Sequence, residues 1–150
     1  MSAEQIFSLC GGLAMIGWAG LVFLPRWGFT RDWLAPVLVP LAIAVVYVWL
    51  MATHVGSAPA GGGFDSLAGV KTLFTVDHLL LAGWIHYLAF DLFVGAWEVR
   101  DAQRRGIHHL LVLPCMAATL IAGPGGLLLY WLVRLAHRAW AGRTPAPQAA

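Results

Sequence analysis

The sequence predicts an all-α membrane protein, a bundle of four transmembrane helices with the fourth kinked or broken at Gly123-Gly126. Three observations carry this. Hydrophobic residues fill 60% of the 150 positions and charged residues only 11%, with a mean hydropathy of +0.76, against about 25% charged residues in an average soluble domain. The apolar residues fall in runs of about 20, the length that crosses the hydrocarbon core as a helix. Four such runs and their connections consume the chain, so a single domain over residues 1–143 is expected, with a disordered tail at 144–150.

The first span is expected at residues 6–24, closed by Pro25-Arg26-Trp27-Gly28, where a proline, a cation and an interfacial tryptophan mark the membrane surface. The preceding Met1-Ser2-Ala3-Glu4-Gln5 has no Lys or Arg, so the run reads as a retained span and not as a secretory signal. Its small residues, Gly11, Gly12, Gly17 and Gly20 among them, allow close approach of a neighbouring helix. The second span is expected at 33–53, with Asp32 as its N-cap and Pro36 and Pro40 in its first turns. His54 then falls where the helix meets water.

Residues 55–75 form the longest polar connection, and the spacing of Phe64, Leu67, Val70, Leu73 and Phe74 predicts a short amphipathic helix lying in the interface. The third span, 76–97, runs into a charged segment, Glu98 to Arg105, that extends the helix beyond the membrane until Gly106 stops it. Glu98 with Arg105, and Asp101 with Arg104 or Arg105, have the spacing of surface ion pairs. Within 109–137 neither half around Gly123-Pro124-Gly125-Gly126 is long enough to cross alone, so the two are expected to form one interrupted span.

Nine Lys and Arg against seven Asp and Glu include no basic tract, which argues against nucleic acid as a partner. Cys10 and Cys115 lie in apolar runs and read as small hydrophobes, neither a disulfide nor a thiolate metal site. Six histidines are too few and too scattered for a membrane di-iron centre, and His54, His109 and His137 are poorly placed to hold a haem between spans. No metalloprotease, nucleophile-elbow, phosphate-loop or dinucleotide motif is present. With this topology Arg26, Arg31, Arg100, Arg104 and Arg105 stand against Lys71, Arg134, Arg138 and Arg143, and the narrow excess places the first and third loops in the cytoplasm.

The third span carries Asp77, His78, His86 and Asp91, and ionisable groups inside a span are by default a functional-site hypothesis. At about 100° per residue, Asp77, Trp84, Asp91 and Glu98 fall along one drifting stripe that is expected to face the bundle interior, with Tyr87 beside it. His86 lies nearly opposite Asp77, so the four groups cannot meet at one point. Asp77 reads either as a first-turn carboxylate favoured by the helix dipole or as a member of the site. Aromatic and glycine-lined walls suit a long apolar substrate entering from the lipid.

Trp84-Ile85-His86-Tyr87-Leu88-Ala89-Phe90-Asp91, Arg104-Arg105-Gly106-Ile107, Leu111-Val112-Leu113-Pro114-Cys115 and Gly123-Pro124-Gly125-Gly126 follow one another in an order that resembles the abscisic-acid-deficient-four-like family of small membrane proteins. The resemblance implies four spans and, from plant members, an association with converting violaxanthin to neoxanthin. In that isomerisation a 5,6-epoxide opens and a proton leaves C7, giving an allene and a tertiary hydroxyl. There is no net redox change, so an acid and a base suffice and no cofactor or metal is demanded. The resemblance thus implies Asp91 as acid, His86 or Asp77 as base, and Trp84, Tyr87, His78 and Pro124 as substrate-binding residues. Ala-, Gly- and Arg-rich usage and the lack of a plastid extension point to a bacterial inner membrane. The expected partners are the bilayer and a lipid or carotenoid substrate, with a homo-oligomer left open; a non-catalytic carotenoid- or lipid-binding role is the alternative.

Overall fold

A computed structural model describes residues 1–141, and all secondary structure among them is helical. The expected tail at 144–150, and Arg143, lie outside the described residues. Helix α1 (Ala3–Phe23) starts on a capping box: the Ser2 hydroxyl accepts from the Gln5 amide while the Gln5 side chain accepts from the Ser2 amide. A π-helical stretch, Thr30–Leu38, runs directly into α2 (Val39–His54) and a 3-10 turn at Val55–Ser57. Then come the short α3 (Leu67–Leu73), the long α4 (Asp77–Arg104), α5 (His109–Ala122) and α6 (Pro124–Ala141). Three helical segments, Ala3–Phe23, Thr30–Ser57 and Asp77–Arg104, are long and apolar enough to cross a membrane.

Asp32 does not cap the second of these. It is the third residue of the π-helical stretch, whose own N-cap, Phe29, has no capping side chain, and Asp32 instead binds Arg31. The prolines account for the wider winding. Pro36 and Pro40 supply no amide hydrogen and their rings press on the carbonyl four residues back, which an i to i−5 pattern relieves; the Val39 amide accordingly bonds to the Leu34 carbonyl. Gly106, at φ 70°, terminates α4 as its sequence position predicts.

Helix α4 is the axis of the fold. Helix α1 runs parallel to it: Phe7 stacks on Trp84 near one end, at 5.7 Å, and the Val22 carbonyl accepts from His109 Nε2 at the other. Two glycines permit that closeness, since a Cβ on Gly17 would lie 2.6 Å from Leu92 and one on Gly95 would lie 2.5 Å from the Trp18 ring. Gly11 and Gly12 have open space before them and serve no such approach. Helix α2 returns antiparallel, so Tyr47 meets His86 and His54 meets His78. Arg31 and the Pro25 carbonyl both bind Gln103, fastening the α1–α2 connection to the end of α4.

The chain breaks at Gly123, as expected, but the two halves do not prolong one another. Thr119 of α5 bonds to Glu98, Gly123 lies beside Asp91, and Tyr130 of α6 bonds to Asp101 at 2.8 Å. Passing from Glu98 to Asp91 and back to Asp101, the chain has reversed. Gly123, at φ 40°, makes the turn. Gly126 then lets α6 lie against α5, because a Cβ there would coincide with the backbone and side chain of Thr119. Helices α5 and α6 therefore form a hairpin whose tip stands near the middle of α4. The Arg134 side chain, 3.6 Å from Asp101, is at the same end of the bundle as Arg100, Arg104 and Arg105.

Candidate functional site

Between α2 and α4 lies a chamber of about 670 Å³ with a mostly apolar wall. Helix α2 contributes Tyr47 and Met51 and helix α4 contributes Leu79, Leu80, Gly83, Trp84, His86 and Tyr87. Phe64, Leu73 and Phe74, from the 55–75 connection, close it on the side away from the arginines, and Ile121 closes it from the hairpin tip. The Phe74 ring approaches α4 over Gly83, where a Cβ would lie 3.1 Å from it. The amphipathic helix expected in this connection is α3, which reaches the chamber through its last residue, Leu73, while Leu67 stays exposed.

His86 is an exposed side chain on the chamber lining, with the Tyr47 ring at 5.7 Å and the Phe90 ring, outside the lining, at 4.5 Å. Trp84 and Tyr87 lie next to each other at 5.5 Å, and the Tyr87 hydroxyl donates to the Leu120 carbonyl at 2.6 Å. That carbonyl belongs to the last turn of α5, where the break frees backbone acceptors. A tyrosine on α4 thus fastens the hairpin tip while its ring lines the chamber.

Asp91 lies one turn further along α4, about 6 Å in rise from Tyr87. It is 8% exposed, outside the chamber lining, with its carboxylate against Gly123, and Oδ2 has no hydrogen-bond partner among the described residues. Asp77 is the exposed first residue of α4, and it does not line the chamber either. His78 stacks on His54 at 4.1 Å with the rings nearly parallel, at the chamber rim beside Leu79 and Val55. Pro124 begins α6 on the outer side of the hairpin tip and is exposed. Of the residues singled out in the sequence, the structure brings His86, Trp84 and Tyr87 together at the chamber. It leaves Asp77 and Pro124 apart, His78 at the rim and Asp91 outside the lining but next to Tyr87, which belongs to it.

The stripe expected to face the bundle interior does so at Asp91 and Glu98 but not at Asp77 and Trp84, which are exposed, and two sets of contacts lay beyond sequence reasoning. Glu98 does not pair with Arg105 on the surface: its side chain is 0% exposed, Oε1 accepts from the Thr119 hydroxyl at 2.9 Å, and Oε2 has no partner among the described residues. The Arg105 spacing that suggested a surface pair belongs to Asp101 instead, at 2.7 Å. Tyr47 and Met51 also reach the chamber from a helix whose polar signals all lay at its ends. Among the described residues no three His, Cys, Asp or Glu side chains gather as a metal site requires, and Cys10 and Cys115 are buried free thiols.

An all-helical protein with three helices fit to cross a membrane, and an apolar aromatic chamber set between them, is the class that fold and geometry define. The chain belongs to the ABA DEFICIENT 4-like family, whose sequence profile matches residues 5–130. That match takes in every chamber residue, the hairpin tip and Tyr130. Comparison with curated proteins and with solved structures gives no match.

Proposed function

We propose that this is a multi-pass membrane protein of a bacterial inner membrane that takes a carotenoid or another isoprenoid lipid into the α2–α4 chamber and isomerises it by acid–base chemistry without a cofactor. In this reading three helices cross the bilayer and the α5–α6 hairpin enters it from one side without crossing. The observation that carries the proposal is the chamber itself: an apolar cleft of about 670 Å³ lined by aromatic rings, with the His86 imidazole on its wall. A polyene stacks on Trp84, Tyr47 and Phe74, and the polar end-group meets His86.

For an epoxy-carotenoid the chemistry balances with proton movement alone. The C–H bond next to the epoxide breaks, its electron pair forms the new double bond of the allene, one epoxide C–O bond opens, and the oxygen takes up a proton as a tertiary hydroxyl. His86 is the group positioned to remove or deliver that proton. Tyr87 orients the end-group, and Asp91 sits behind it, one turn from the chamber. That separation favours a second reading, in which the chamber binds the pigment and no reaction follows, because the carboxyl expected to act as acid is outside the lining.

Reconstituted protein incubated with an epoxy-carotenoid, followed by chromatography of pigments, tests both. Conversion to an allenic product that disappears in His86→Ala supports the isomerase. Retained pigment with no product supports the binding protein. Absence of both overturns the assignment.

A further inference from the structure

At the end of the bundle away from the chamber's aromatic closure, α4 and α6 enclose a second groove, of about 620 Å³. Four guanidinium groups line it: Arg104 and Arg105 from the end of α4, Arg134 and Arg138 from α6. The carboxylate beside them is Asp101, held by Arg105 at 2.7 Å, by the Tyr130 hydroxyl at 2.8 Å and by Arg134 at 3.6 Å. One carboxylate does not neutralise four guanidiniums: Arg104 is shared with the neighbouring groove that holds Asp32, and Arg138 has no carboxylate partner among the described residues. Its floor is apolar: Arg134 lies over the Trp131 ring at 4.1 Å, with Leu135 one turn on. Below the groove, toward the hairpin tip, α6 presents Leu128, Leu132 and Trp131 as exposed apolar surface.

We propose that this groove binds the phosphate of an anionic phospholipid, whose acyl chains lie down the apolar flank of α6. Guanidinium is suited to phosphate through its fixed pair of donors, and basic pockets between helices on the cytoplasmic side of membranes take anionic headgroups. The position fits. Of the eight Lys and Arg among the described residues, seven are arginines at this end of the bundle, and Lys71 alone is at the other. By the positive-inside rule this end faces the cytoplasm, where anionic lipid concentrates. The apolar flank selects a lipid over a soluble phosphate.

The test is native mass spectrometry of the full chain, extracted from vesicles of phosphatidylcholine with phosphatidylglycerol and washed in a neutral detergent. The wild type is expected to retain phosphatidylglycerol over phosphatidylcholine. In Arg134→Gln/Arg138→Gln, retention falls by roughly tenfold or more, whereas Arg26→Gln, at the same end but outside the groove, retains it. Arg138→Gln alone, on an exposed side chain with no partner among the described residues, gives a partial loss in a chain whose packing is untouched. Equal retention of the two lipids overturns the proposal, as does equal loss in Arg26→Gln. Displacement of phosphatidylglycerol by millimolar inorganic phosphate, with no requirement for acyl chains, overturns the lipid assignment.

Discussion

The Thr119 hydroxyl donates to Glu98 Oε1 at 2.9 Å, and both side chains are fully buried. With the Tyr87–Leu120 and Tyr130–Asp101 bonds, this bond ties the hairpin to the central helix, and it is the fully buried one of the three. A buried acceptor left without its donor costs more than the bond itself contributes.

Thr119→Val is therefore expected to destabilise the protein by about 1–2 kcal/mol, read as a lowered unfolding midpoint in detergent. Adding Glu98→Met removes the stranded carboxyl as well and is expected to recover part of that loss. A strictly additive double mutant would show that the two side chains are not coupled.

Gly125 and Gly126 are adjacent in sequence and opposite in consequence. A Cβ on Gly125 meets only the Ala122 methyl, at 3.6 Å, an ordinary contact, whereas one on Gly126 falls on Thr119. Gly125→Ala is expected to be neutral or to stabilise by up to about 1 kcal/mol through its helix propensity. Gly126→Ala should cost at least about 1–3 kcal/mol, since α5 and α6 must separate. Thermal unfolding of the two variants side by side decides it.

Chamber volume can be reduced from Gly83. Its absent side chain leaves room for the Phe74 ring at 3.1 Å. Gly83→Leu projects into the space proposed for a polyene and should lower pigment retention about tenfold or more. Phe74→Ala in the same chain reopens that space at the loss of one stacking ring and should restore retention in part. Retention unaffected by Gly83→Leu would place the pigment elsewhere.

Much of this architecture is legible in the sequence. Apolar run length sets three of the helices to within a few residues: 6–24 against Ala3–Phe23, 33–53 against Thr30–His54, and 76–97 with its charged extension against Asp77–Arg104. The stop at Gly106 and the break at Gly123 follow from glycine at positions of positive φ. Local chemistry marks where a helix must break but not which way the chain leaves the break, and the hairpin depends on a close approach between Gly126 and Thr119 that no periodicity encodes. Glu98 shows the same limit. Its spacing to Arg105 within one helix is visible in sequence, but its partner comes from another helix, 21 residues on. At the site, the aromatic run around His86 points to the chamber, whereas Tyr47 and Ile121 join it only through tertiary packing.

The reversal at Gly123 has a consequence for sidedness that separates it sharply from an interrupted crossing. Helix α5 has 14 residues, a rise of about 21 Å against a hydrocarbon core of about 30 Å. Its C-terminal end lies beside Asp91, near the middle of α4, and α6 returns from that depth to Asp101. Trp140 and His108 should therefore face the same compartment, with Lys71 in the other. In a background of Cys10→Ala and Cys115→Ala, cysteines at positions 108 and 140 are expected to react with a membrane-impermeant maleimide from one side of sealed vesicles, and a cysteine at position 71 only from the opposite side. An interrupted span would instead group 140 with 71, which would divide the arginines between the two surfaces and remove the electrostatic basis for orienting the protein.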